Sequence, residues 1–265
     1  MLIWRISILA SSAPALAALL LSRNIGESAA WSENARKPKR IHGTHFIQFF
    51  RDIRNNKLKW RISTFIWISG AASTIEVGTF AFFIPTTLSL LKISGLTDSR
   101  IIILLVYAFG IPAVYLGPKV LPRIGLRKLS LYGYGMTIIS LLGAGFSIVY
   151  HVYLVVPGFM LLFVWGNHWN NQPILTSQAL VSEPGFRGEA AGFSNFVAQM
   201  PSFLSITALP VLFGLVGLGY STLLITIAPL TGLLASIFLF RESFGYQGDF
   251  HVANTDEALL PEQSQ

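Results

Sequence analysis

Residues 62–91 read ISTFIWISGAASTIEVGTFAFFIPTTLSLL, a run whose only ionisable side chain is Glu76. A bilayer's hydrocarbon core is about 30 Å thick and takes roughly 20 predominantly apolar residues per helix. This run is long enough to cross it, with length left over for tilt. The rest of the chain follows from testing whether other segments read the same way.

They do. Of the 265 residues, 52% are hydrophobic and only 12% charged, about half the charge fraction of an ordinary soluble domain. Seven apolar segments emerge, at 3–22, 62–91, 101–116, 129–150, 152–180, 189–216 and 219–240. The expected fold class is therefore an all-α integral membrane protein with about seven transmembrane helices. The net charge of +7 does not point to nucleic acid, because the basic residues are confined to a few connections. Residues 23–61 hold ten lysines and arginines, and the connection 117–128 adds Lys119, Arg123, Arg127 and Lys128. With Arg187 and Arg241 these fall on one side of the alternating spans, whereas Arg5, Lys92 and Arg100 fall on the other. Cytoplasmic connections carry the excess of Lys and Arg. The expected topology is a multi-pass cell-membrane protein with the N-terminus outside and the C-terminus cytoplasmic.

Met1–Arg5 followed by an apolar run rich in small residues also has the form of a signal peptide. That reading places the basic segment 23–61 outside, against the charge rule, so residues 1–22 are taken as a true span. Within 23–61, a basic cytoplasmic loop, Phe46, Phe49, Phe50 and Ile53 recur at helical spacing while Arg51, Arg54 and Lys57 point elsewhere. This is the pattern of an amphipathic helix on the inner membrane surface, aromatics in the acyl boundary. Residues 62–240 form the remaining six helices. Residues 241–265 are a cytoplasmic tail, of which 245–265 is polar, carries Asp249, Asp256, Glu257 and Glu262, and has the composition of a disordered segment.

The connection after the third segment runs Gly117-Pro-Lys-Val-Leu-Pro-Arg123-Ile-Gly125-Leu-Arg127-Lys128. It resembles the major facilitator superfamily loop G-x-x-x-x-D-R-x-G-R-R/K, matching at Gly117, Arg123, Gly125, Arg127 and Lys128. Pro122 stands at the family's Asp and Leu126 at the first Arg of its pair, so the Asp's charge-relay role has no counterpart in the loop. Trp4-Arg5, Pro14, Glu27-Ser28 and Trp31 resemble the sixth helix and the segment after it in sugar and phosphate porters. Phe186-Arg187-Gly188 with Ala191-Gly192-Phe193 resembles the opening of the eleventh helix, and Arg241-Glu242-Ser243-Phe244-Gly245 the ending after the twelfth. The resemblance implies the C-terminal half of such a transporter plus one preceding helix, helices six to twelve. It further implies a missing N-terminal half, or a second copy, as partner. The segments that would be helices six, nine and twelve carry no carboxylate, amide or histidine, as lipid-facing helices should.

The polar residues inside the spans are the candidate site. Glu76 lies near the middle of the second segment with Ser69 and Ser73 on its face. An intramembrane carboxylate is a candidate proton carrier; the alternative is a structural hydrogen-bonding group. Asn167, His168, Trp169, Asn170, Asn171 and Gln172 form the densest polar run in any span. Amides donate and accept, which suits an oxygen-rich solute, and His168 is a second group able to carry a proton. The alternative for the run is hydrogen bonding between helices. Asn195, Gln199 and Ser202 make one polar stripe on the sixth segment, reading as a cavity wall. Pro173 and Pro201 loosen their helices nearby.

No enzyme, cofactor or metal signature appears: no Walker loop, no zinc-type histidine pair and no cysteine. The expected function is secondary active transport of a small polar solute such as a sugar, phosphate or organic acid, proton-coupled, by alternating access. The rivals are a seven-helix receptor or binding protein and a nonfunctional truncated remnant. The last segment lacks the lysine that a retinal protein needs there.

Overall fold

The chain divides into two compact units, Met1–Gly43 and Thr44–Gln265. The computed structural model describes residues 45–81, 84–85, 87–88, 99–181 and 187–242, together with Leu20. The expected first span, the segment 23–44 and the tail beyond 242 thus lie outside the described residues.

Every described element is helical. In order these are α1 (His45–Asn55), α2 (Lys57–Glu76), a π-helical turn (Val77–Ala81), α3 (Ser99–Ala108) and α4 (Gly110–Val149). A 3-10 turn (Tyr153–Val155), α5 (Val156–Val181), α6 (Arg187–Ile225) and α7 (Ile227–Phe238) follow. Asn56 separates α1 from α2: its side-chain oxygen accepts from the amides of Leu58 at 3.0 Å and Lys59 at 3.1 Å, capping α2.

Two stretches are long and apolar enough to cross a membrane, Ile101–Val149 and Ala190–Phe238. Neither is one straight rod. Each is interrupted at a glycine in the positive-φ region, Gly125 (φ 80°, ψ 165°) and Gly217 (φ 80°, ψ 166°). Contacts across α4 and α5 give the consequence. Before Gly125 the pairings climb together, Ala113 with Trp169 and Gly117 with Gln172. After it they run oppositely, Gly133 with Asn170 and Ser140 with Phe159. The chain therefore reverses at Gly125, and residues 110–124 and 126–149 are antiparallel. Gly217 does the same for α6. Residues 70 and 78 of the α2 strip face 198 and 202 in parallel, whereas 134 and 145 face 232 and 223 in antiparallel. The described bundle thus has six segments alternating in direction. The connection expected at 117–128 is helical on both sides of a one-residue reversal, because only Gly125 has to leave the helical region.

Two apolar cores stack along the bundle. One joins Leu58, Ile62, Phe65, Leu126, Ile174 and Phe240, with the rings of Phe65 and Phe240 stacked at 4.0 Å. The other joins Phe80, Leu141, Ile148, Met160, Phe163 and Leu209 among others. Three helices agree on what lies between them: residues 69–76 of α2, 134–137 of α4 and 167–170 of α5.

At the first core's end the reversal is closed by a distant carboxylate. Glu242 accepts from the amides of Leu126 at 2.9 Å and Arg127 at 3.1 Å, the first turn of the helix that leaves Gly125. A negative group at a helix N-terminus is favourable on both hydrogen-bond and dipole grounds. Conversely, Arg127 donates to the Ile237 carbonyl at 2.8 Å and Arg61 to the Phe238 carbonyl at 3.0 Å, two cations on the C-terminus of α7. The helix expected at 46–57 is present as α1, but its apolar face is not free for lipid. Phe49 and Ile53 are buried with Ala190, and Phe50 meets Phe193 edge-on at 4.9 Å. The aromatic side chains of α6 and of Trp67 in α2 offer that face a protein partner; Arg51, Arg54 and Lys57 remain exposed. The Phe46 side chain lies outside the described ones.

A Cβ at position 125 would sit in a backbone region reserved for glycine and against the Glu242 carboxylate. Gly125→Ala should therefore cost roughly 1–3 kcal/mol, and Glu242→Ala about 0.5–2 kcal/mol through loss of the cap. Both should appear as a lowered thermal midpoint in detergent. An unchanged midpoint for Gly125→Ala would remove the reversal.

Candidate functional site: a buried carboxylate between two apolar cores

Glu76 ends α2, immediately before the π turn, and its side chain is fully buried. π turns inside helices are frequent at functional sites. This one sits where α2 meets α6 closely: a Cβ at Gly78 would fall on Ser202, and Thr74 donates its hydroxyl to the Ala198 carbonyl.

The polar run of α5 is divided between two neighbours. Asn170 Nδ2 donates to Glu76 Oε2 at 3.2 Å and Asn167 Nδ2 donates to the same oxygen at 3.3 Å. Ser73 completes a ring, accepting from Asn167 at 3.3 Å and donating to Asn170 Oδ1 at 3.3 Å. Asn170 and Ser73 are buried, and Asn167 nearly so. The other oxygen of Glu76, Oε1, is buried and accepts no hydrogen bond among the described residues, and neither does the hydroxyl of Ser69 find a partner. No lysine, arginine or histidine among the described residues hydrogen-bonds to the carboxyl group. Tyr134, wholly buried on α4, donates to the Ser69 carbonyl at 2.9 Å one turn away. Gly133 makes this meeting of helices close: a Cβ there would strike the Asn170 backbone.

The opposite side of the same helix grips α4. Trp169 Nε1 donates to the Ala113 carbonyl at 3.2 Å and Gln172 Nε2 reaches the Val114 carbonyl at 3.4 Å. His168 is half-buried beside Gly110. Of the run, Asn171 alone is exposed. On α6, Asn195 and Gln199 are exposed too, whereas Ser202 is buried against Gly78. The expected eight-residue solute set is therefore not one surface. Asn167 and Asn170 serve Glu76, Trp169 and Gln172 serve α4, and Asn171, Asn195 and Gln199 face outward.

The loop-motif residues also separate. Gly117 is buried and leaves room for Gln172, Gly125 makes the reversal, Arg127 caps α7, and Arg123 and Lys128 are exposed. Glu242 had no role in the sequence reading beyond its place in the terminal resemblance. Its partners are more than a hundred residues away, and no local pattern could have named them. Tyr134 was missed because a lone tyrosine in an apolar span reads as core. Two grooves of about 580 and 470 Å³ lie near Tyr220, at the opposite end from Glu242. None of the sequence-predicted site residues lines either. No cluster able to hold a metal occurs among the described residues.

No protein-family model, no curated protein and no solved structure matches the chain.

If the ring around Glu76 holds the helices together, the two neighbouring asparagines should differ. Asn170→Ala removes one of the two donors to Glu76 Oε2, leaves the buried Ser73 hydroxyl without its acceptor, and should cost about 1–3 kcal/mol. Asn171→Ala, at an exposed position, should stay within about 0.5 kcal/mol. Equal losses in thermal stability would contradict the arrangement.

Proposed function

We propose that this chain is a membrane-embedded part of a secondary active transporter, in which Glu76 takes up and releases the coupling proton. The observation that carries the reading is a buried carboxyl group with two amide donors on one oxygen and, among the described residues, no cation bonded to it. Burying an unpaired ionised group is so costly that such sites are rare in spans and mark ion or proton pathways. A purely structural hydrogen-bonding role would be served as well by a glutamine.

Membrane embedding is supported by the outer surface. Leu104, Ile111, Phe203 and Leu215 are each at least two-thirds exposed on their helices, with many other large apolar side chains. Water tolerates few contiguous apolar patches of that extent, whereas lipid covers them at no cost. Seven spans, with the N-terminus outside and the C-terminus cytoplasmic, fit the basic end that gathers Arg61, Arg127, Arg241 and the exposed cations of α1. The turn at Tyr150 and His151 lies at the other end. The loop of residues 117–128 and the ending that begins at Arg241, each of which resembles a major facilitator superfamily segment, meet in space through Glu242. That meeting supports reading the chain as the C-terminal half of such a protein with one preceding helix.

The solute would be a small polar molecule such as a sugar, phosphate or organic acid. Asn171, Asn195 and Gln199 are exposed and His168 is half-buried, and these are the groups that would meet it. Amides in hydrocarbon are costly, so these exposed groups also favour a partner across a polar cavity, an N-terminal half or a second copy. Alternating access then follows from rocking of the two parts.

Two measurements test this. The chain has no cysteine, so single-cysteine variants can be labelled directly in sealed vesicles. Arg123→Cys should react only from the cytoplasmic side and Tyr150→Cys only from the outside; the same sidedness for both removes the topology. In vesicles given a pH gradient and a panel of sugars, phosphate and organic acids, Glu76→Gln should abolish proton-driven accumulation. Full accumulation by that variant would remove Glu76 from the mechanism.

A further inference from the structure

α5 has two gripping sides within six residues. Asn167 and Asn170 hold Glu76 of α2; Trp169 and Gln172 hold carbonyls in residues 110–124 of α4. Both asparagines present their NH₂ groups, not their oxygens, to Glu76, and both choose Oε2. Oε2 is thus used only as an acceptor, a role it can fill whether or not Oε1 carries a proton. Oε1 has no hydrogen-bond partner among the described residues.

We infer that Asn167 and Asn170 are positioning residues that convert the charge on Glu76 into a movement of α5, an inference resting on the proton-carrying role proposed for Glu76. The proton arrives at Oε1, an O–H bond forms there, and the group goes from charge −1 to neutral. Two charge-assisted bonds at Oε2 become neutral ones, and hydrogen bonds to charged groups are roughly twice as strong as neutral ones. At the same time a new donor appears at Oε1. The ring through Ser73 is then no longer the best arrangement, and the grip of α5 on α2 loosens. The second grip makes this more than a local change. Trp169 and Gln172 are rigidly placed on the same helix, so residues 110–124 move with α5 relative to α2. Pro173, directly after the run, removes one backbone hydrogen bond and makes the helix easiest to bend there.

The titratable groups facing this layer are few. From α4 there is Tyr134, whose hydroxyl is committed to the Ser69 carbonyl. From α5 there is His168, turned toward Gly110. Along the described part of α6, the residues against α2 and its π turn include Ala198, Ser202 and Ile206, and Gly232 of α7 lies against Tyr134; none of these titrates. Glu76→Gln therefore isolates the charge change.

The test uses the full chain in lipid vesicles with spin labels at Ile68 on α2 and Leu175 on α5, both exposed. A pH jump is followed by two readouts, net proton uptake and the label separation. In the parent chain, protons should be taken up and the separation should move by about 1–2 Å, the size of helix shifts at bistable interfaces. Glu76→Gln should lose both. Asn167→Ser and Asn170→Ser, made singly so that at least one variant folds, should keep proton uptake and lose most of the movement. A purely structural asparagine would lower stability without separating the two readouts. Movement that persists in both serine variants, or proton uptake without movement in the parent chain, overturns the relay while leaving Glu76 as the proton carrier. Absence of any uptake that depends on Glu76 overturns that role and the relay with it.

Discussion

The bond from two side-chain amides to one oxygen of Glu76 is the contact on which the middle of this bundle depends. Above and below it the helices meet largely through two apolar cores, which are non-directional and tolerate sliding. At its level three helices, α2, α4 and α5, are fixed by directional bonds through Ser69, Ser73, Tyr134, Asn167 and Asn170. A buried polar network of this kind is high-stakes: satisfied, it specifies one register, and half-satisfied it is worse than an apolar core. Here it is satisfied everywhere except at Glu76 Oε1 and the Ser69 hydroxyl. An incomplete network retained in the centre of an apolar protein needs a reason beyond stability, and reversible proton binding supplies one.

The reversals at Gly125 and Gly217 put that layer together. Residues 110–124 lie parallel to α5 and residues 126–149 antiparallel to it, so α5 is held from both sides by one continuous chain. The turn at Gly125 costs little in length because a single residue changes conformation, but it exposes the first amides of the next helix. Glu242 meets that need from the far end of the described chain, while Arg127 and Arg61 answer the carbonyls where α7 stops. The basic end of the bundle is thus stitched by complementary helix termini.

The helical segments from residue 62 to residue 240 were legible in the sequence because charge is sparse within them and concentrated in a few connections. Gly125 was legible too, as a glycine in a basic connection, although the helix continues almost through it; Gly217 lies in an apolar stretch without Lys or Arg and carried no such signal. Glu76 stood out for a simple reason: it is the one ionisable group in its run. What the sequence could not yield was the division of the α5 polar residues. Helical spacing places Asn167, Asn170 and Asn171 on one face, yet Asn170 is buried on Glu76 and Asn171 is exposed. A difference of one position, about 100° on a helix, decides between partner helices whose location no local pattern records. The same holds for α1, whose apolar face read as lipid-directed and instead finds Phe193 and Trp67.

The account makes the charge of Glu76 a variable rather than a fixed feature of the core. Infrared difference spectroscopy of the chain in lipid vesicles, recorded across a pH titration, measures this directly. A carboxylic C=O stretching band that appears and disappears reversibly with pH, and is missing from Glu76→Gln, is the result the account predicts. A titration whose spectra are identical in the parent chain and in Glu76→Gln would contradict it, and would leave Glu76 as a fixed hydrogen-bonding post between α2 and α5.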